Sequence, residues 1–205
     1  MIGSADHPVA LGLRARIHQA RGERAALAGL LPRVTKAKLP RETLEAVIAD
    51  GLAERLARAD LTKDELAKAW ACVPGELKQS PRLVAIRASA LHRLGRGEEA
   101  EKELRAALKR EWHPALVAAY GDVRAADPLK QLRQAETWLK DHAEDGLLLL
   151  TAARLCMQNE LWGKARSYLE TSARIQPRAQ TWRRLGQLLQ ELGQPEAAMQ
   201  AFSKG

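Results

Sequence analysis

Apolar residues along this 205-residue chain recur three and four positions apart and almost nowhere alternate with polar ones. A stripe at i, i+3, i+4 and i+7 marks an amphipathic α-helix, whereas a half-buried strand alternates every second residue. Near the C-terminal end, Trp182, Leu185 and Leu189 fall on one helical face. Gly193 is placed to end that helix in a left-handed conformation, and Pro195 suits the first turn of the next one. The same reading predicts helices over 9–20 and 24–36, the second kinked or cut short at Pro32. A long helix over 40–59 carries Leu44, Val47, Ile48, Gly51, Leu52 and Leu56 on its face. Thr62-Lys63-Asp64-Glu65 is a capping box that opens a short helix over 63–72, before Pro74-Gly75. Further helices are predicted over 115–126 and 129–142, separated by Asp127-Pro128.

The segments resemble one another. In 179–205, Trp182, Leu185, Gly186 and Leu189 on a first helix precede Ala198 and Phe202 on a second. Gly186 and Ala198 are small where the two helices must cross closely. In 81–113, Ala88 on the first helix leads through Leu94-Gly95-Arg96-Gly97 to Ala100, Leu104 and Ala107. In 146–178, Leu149, Ala153 and Cys156 lead through Asn159-Glu160 to Trp162, Ala165 and Leu169. Ala100, Ala165 and Ala198 thus share one small position, and the recurrent core set is Ala88, Ala100, Leu104, Ala153, Ala165, Leu169, Trp182, Leu185, Gly186, Ala198 and Phe202. This spacing resembles the tetratricopeptide pattern, with Leu189 where that pattern has Tyr. Helix pairs are expected at about 7–39, 40–80 (a variant with a longer first helix), 81–113, 114–145, 146–178 and 179–205. The expected fold is an all-α solenoid of about six antiparallel helix pairs forming a right-handed superhelix, because single repeats cannot bury their apolar faces alone. It would occupy 7–205 as one repeat domain. Residues 1–6 read as a disordered start or a cloning remnant.

Composition narrows the class. Apolar residues make up 46% of the chain but aromatics only 4%, so Ala and Leu dominate and a β fold is disfavoured. The densest apolar run, Leu147–Ala153, stops at Arg154, well short of the ~20 residues a membrane span needs. No secretory signal opens the chain. Cys72 and Cys156 lie far apart and read as two small buried thiols.

Charge is uneven. The net charge is +8, and the segments 1–40 and 154–184 each carry seven basic and two acidic side chains. The basic residues are spaced along amphipathic helices and do not form a dense face with base-stacking aromatics, so nucleic acid is not the expected partner. An anionic protein or lipid surface fits better.

Sequence motifs for chemistry are sparse. Gly95-x-Gly97-x-x-Ala100 has the spacing of a dinucleotide fingerprint, but a helix and not a strand precedes it, so it reads as an interhelical turn. His7, His18, His92, His113 and His142 show no metal spacing, and His7-Pro8 and His113-Pro114 sit at helix starts. No nucleophile elbow, phosphate loop or catalytic carboxylate pair is visible, and the chain is expected to be non-catalytic, with no cofactor. Trp162 and Trp182 fall on core positions, and Trp70, Trp112 and Trp138 read as core or inter-repeat packing. Aligning the first helices puts Arg16, Arg124, Arg154 and Arg183 in related places, with Tyr120, Met157, Gln187 and Gln190 nearby. These eight are the candidate partner-binding groove, which would take an acidic peptide through bidentate Arg contacts.

One stretch goes beyond a generic repeat. Residues 155–170, LCMQNELWGKARSYLE, resemble the most recognisable segment of the HemY family, and Asp127-Pro128 with Ala135-Glu136-Thr137-Trp138-Leu139 is similar to it too. The likeness runs over nearly the whole chain. It implies a bacterial inner-membrane protein with two N-terminal membrane helices before a tetratricopeptide region, associated with haem (protohaem) biosynthesis. This chain would then be the soluble region, on the cytoplasmic side, tethered through an N-terminal anchor missing from it. Its partners would be haem-pathway enzymes or other membrane proteins. The family offers no catalytic residues to carry over. Two alternatives stand beside this scaffold reading: an enzyme or haem- or porphyrin-handling protein of the same pathway, and a peptide-binding chaperone adaptor.

Overall fold

The computed structural model describes residues 8–23, 26, 29, 30, 33 and 40–205, with the backbone alone at 8, 9, 16 and 19. The expectations for residues 1–7, and for Pro32 in the second predicted helix, fall outside the described residues. Among the described residues the chain is helical and has no strand. No helix among them is long and apolar enough to cross a membrane. Contacts divide the chain into two compact units, Met1–Glu111 and Trp112–Gly205.

The first unit contains α1 (Pro8–Ala20), α2 (Arg41–Leu56), α3 (Lys63–Ala71), a 3-10 turn (Gly75–Leu77), α4 (Pro81–Arg93) and α5 (Gly97–Arg110). The expected face of α2 is buried: Leu44, Val47, Ile48, Leu52 and Leu56 turn inward, and the helix packs on α1 and α4. It is shorter than 40–59 because Pro40 is its cap, and Arg58 beyond its end is held by Asp60 at 2.6 Å. The capping box forms as expected. The Glu65 N–H donates to Thr62 Oγ1 at 3.2 Å, and the Thr62 N–H donates to Glu65 Oε2 at 2.9 Å. Ala88, Ala100 and Leu104 are fully buried where α4 crosses α5. Cys72 departs from expectation. Leu66, Ala69 and Val73 take the inward positions around the end of α3, and Cys72, at its C-cap, is exposed. Trp70 is explained by packing: the Arg87 guanidinium lies 4.9 Å over its ring and also bonds Glu103 Oε1 at 2.5 Å.

The second unit is three hairpins: α6 (Pro114–Asp122) with α7 (Pro128–Trp138), α8 (Gly146–Gln158) with α9 (Trp162–Ile175), and α10 (Ala179–Glu191) with α11 (Pro195–Phe202). Helix α8 is its centre. Residues 146–153 with Leu155 and Cys156 are all buried, against α9, α6 and α7. Both α6 and α7 are shorter than the periodicity suggested. Helix α6 stops at Asp122 because the buried Gln131 binds the chain just past that point. Its Nε2 donates to the carbonyls of Tyr120 and Val123, at 2.9 and 3.0 Å, and its Oε1 accepts from the Ala125 N–H at 3.1 Å. Helix α7 gives way after Trp138 to tight turns, which lead to Asp145. The Asp145 carboxylate caps α8 by accepting from the N–H groups of Leu147 and Leu148, and also takes the Trp112 indole N–H at 3.1 Å. Trp112 stacks on His142 at 3.9 Å and meets Trp138 edge-on, and Tyr120 meets Trp138 in turn, so these rings pack inside the unit.

The expected crossings hold here too. Ala153, Ala165, Leu169, Leu185 and Ala198 are buried. A Cβ on Gly186 would lie 2.5 Å from the Phe202 ring, so the aromatic of the second helix occupies the space the glycine leaves. Trp182 and Phe202 are less enclosed than a core position requires. Phe202 is 40% exposed, because α11 packs chiefly on α10 and turns its other flank to solvent. Gly95 and Gly193 end the first helices of their hairpins at φ 74° and 72°, and Glu160 takes the same left-handed turn at φ 58°.

Candidate functional site

A groove of about 320 Å3 opens in the second unit. Gly121 and Asp122 reach it from the end of α6, Arg154, Met157 and Gln158 from α8, Trp162 from the start of α9, and Arg184 and Glu191 from α10. The repeat explains why these residues converge. Each hairpin sends the last two turns of its first helix to the same side of the unit.

Arg154 is the anchor of this surface. Its side chain is only 12% exposed, and its Nη1 donates to Asp122 Oδ1 at 2.8 Å. Its Nε is buried without a partner. Burial pushes the Arg154 guanidinium below its usual value; Asp122 opposes that shift and Arg184 adds to it. Two guanidiniums therefore lie close enough to feel each other, and a carboxylate brought between them relieves the repulsion. Gln158, one turn on, donates from Nε2 to the Gly121 carbonyl at 3.3 Å, while its Oε1 is buried and unpartnered. Met157 and Trp162, both half-buried, supply apolar wall. The charged lining balances: Arg154 and Arg184 against Asp122 and Glu191.

Of the eight candidate groove residues, the structure brings Arg154 and Met157 into this groove. Tyr120 is fully buried against Trp138, inside the core. Arg124 lies past the end of α6, exposed. Arg183, Gln187 and Gln190 are exposed on α10 and outside the lining, although Gln187 accepts from Arg184 Nη1 at 3.2 Å. Arg16 is on α1, in the other unit, and its side chain is outside the described residues. Sequence reasoning missed Asp122, Gln158, Trp162, Arg184 and Glu191. Repeat spacing predicts a core position for Trp162, yet it opens α9 at the groove's rim.

A second polar cluster, formed around α7, α8 and α9, is structural. Glu136 accepts from Lys164 at 2.5 Å and from the Tyr168 hydroxyl at 3.1 Å. Burial first, then Glu136, push the Tyr168 phenol up. No group of three or more His, Cys, Asp or Glu able to hold a metal occurs among the described residues. His18 is paired with Glu23, His113 Nδ1 accepts from the Ala115 N–H at the start of α6, and His142 is stacked on Trp112.

The family described as Tetratricopeptide repeat matches residues 179–205. No curated protein matches the chain. Among solved structures the chain is similar to one titled "MamA RS-1 ArsTM double mutant", at 18% identity over 78% of this chain and 92% of that one, with a TM-score of 0.46. It is also similar to MamA from residue 41 to its end, from Desulfovibrio magneticus RS-1, at 16% identity over the same shares, with a TM-score of 0.44. Among the described residues the chain is all-helical and arranged in helix pairs, and its last pair, 179–205, matches a repeat family whose domains generally bind other proteins.

Proposed function

We propose that this chain is a non-catalytic protein–protein interaction scaffold, the soluble part of a membrane-anchored HemY-like protein. It would hold enzymes of haem (protohaem) biosynthesis together at the cytoplasmic face of a bacterial inner membrane. The observation that carries the scaffold reading is the groove with Arg154 at its centre, a desolvated cation with an unpartnered Nε. A buried charge left incompletely paired favours an incoming partner, and truncating one member of such a pair typically costs ~2–5 kcal/mol of binding. The HemY assignment rests on the resemblance at 155–170 and 127–139, not on the groove.

The test is capture from detergent-solubilised bacterial membranes, comparing the wild-type chain with the double variant Arg154→Gln, Arg184→Gln. Enrichment of porphyrin-forming enzymes by the wild type, lost in the variant, is expected. Capture of other proteins alone removes the haem-pathway part. Titration with haem is the counter-test: a stoichiometric Soret shift abolished by a single His→Ala change overturns the non-catalytic scaffold in favour of a haem-handling protein.

A further inference from the structure

We infer, building on the groove reading above, that the segment it takes is an extended peptide with side chains of opposite charge about three residues apart and an apolar one between them. A purely acidic ligand does not fit. Arg184 and Glu191 are seven residues apart on α10, so they share a face and lie two turns apart, ~10 Å along the axis. Both line the groove. The cationic end pairs Arg184 with Arg154, whose Nε has no partner. The other end presents Glu191, which makes no ion pair among the described residues. A polyacidic segment would gain at the first end and be repelled at the second. An α-ammonium and α-carboxylate on one carbon are too close together to reach both ends. A chain extended as polyproline II rises ~3.1 Å per residue with three residues per turn, so side chains three residues apart share one face and span the distance.

The walls agree with a peptide. The unpartnered Oε1 of Gln158 is an acceptor suited to a backbone N–H, because a buried carbonyl without a donor is a standing cost that a peptide removes. Met157 and Trp162 form the apolar surface for the middle side chain. Asp122 already neutralises one Nη of Arg154, so a single incoming carboxylate completes the cationic end. A nucleic acid strand would bring only negative charge to a lining that is already half acidic.

Selection of a displayed random heptapeptide library on the full chain tests this. Opposite charges at i and i+3 should be enriched about fivefold over the unselected library, the factor to which ~1 kcal/mol, the upper worth of an exposed ion pair, corresponds. On Glu191→Lys, the basic position of the enriched peptides should turn acidic. If the wild type instead enriches acidic residues at both positions, or Glu191→Lys changes nothing, the mixed-charge inference fails while the groove still stands as a peptide site. If the same peptides are enriched on Met157→Trp, which fills the groove, both this inference and the groove reading fail. Circular dichroism melts of each variant confirm that the fold is retained.

Discussion

Cys72 and Cys156 carry the same thiol in opposite surroundings. Cys156 is fully buried on α8, and burial pushes its thiol up to about 12, with Lys164 opposing and Glu136 adding to the shift. An unfolded thiol ionises near ~8.5, so below that pH Cys156 is protonated in both states and its contribution to stability is intact. As pH rises from there towards the folded value the unfolded chain loses its proton first, and stability falls. The thiolate is the reactive form, so Cys156 is inert, whereas Cys72 is exposed and open to reagents. At pH 8, a thiol reagent should label one cysteine quickly in the native chain and the second only in denaturant. Comparable native labelling of both would contradict the buried position of Cys156. Helical periodicity could place Cys156, which follows Leu149 and Ala153 at helical spacing on one buried stripe. The end of α3 was legible from Pro74-Gly75, but the exposure of Cys72 was not, because Leu66, Ala69 and Val73 fill the inward positions there.

Helix crossings were the most legible feature, because the rule behind them is steric and local. Small residues recur where two axes approach, and Ala100, Ala165, Gly186 and Ala198 all lie at such points. Helix ends were less legible where a distant side chain decides them, as Gln131 does for α6. The crossing of α10 and α11 gives a sharp expectation. Gly186→Ala sets a Cβ 2.5 Å from the Phe202 ring, and the ring must move outward. Overpacking of this kind costs ~1–3 kcal/mol, so the urea midpoint should fall. Alanine is otherwise the better helix former by ~1 kcal/mol. In a Phe202→Ala background, where the obstruction is gone, Gly186→Ala should therefore raise the midpoint. A fall in both backgrounds would mean that the ring does not set the cost.

At the scale of the molecule, the repeat grammar made the fold class readable, because each hairpin restates the same spacing. The groove was only half readable. Its basic character came from summing charge over 154–184, but of the seven cations there only Arg154 and Arg184 line it, and Asp122 and Glu191 cancel them. One helical residue is a 100° rotation, enough to send Arg183 to solvent and Arg184 inward, and pair alignment does not fix a rotation that small. The same repeat logic governs how damage spreads. Arrays of hairpins are held by neighbour contacts, so a local lesion loosens its own pair and the next before anything distant. Gln131→Leu removes the partners of the Tyr120 and Val123 carbonyls and of the Ala125 N–H at one stroke. Each buried group left unsatisfied costs ~1–3 kcal/mol. The three groups together cost at least ~3 kcal/mol and each ~1.4 kcal/mol is a factor of ten in an opening equilibrium, so amide exchange across α6 and α7 should speed up by two orders of magnitude or more. Helix α8, packed on both, should follow to a lesser degree. Helices α2 and α4 of the first unit should keep their protection. Equal acceleration in both units would show instead that the chain opens as one cooperative block.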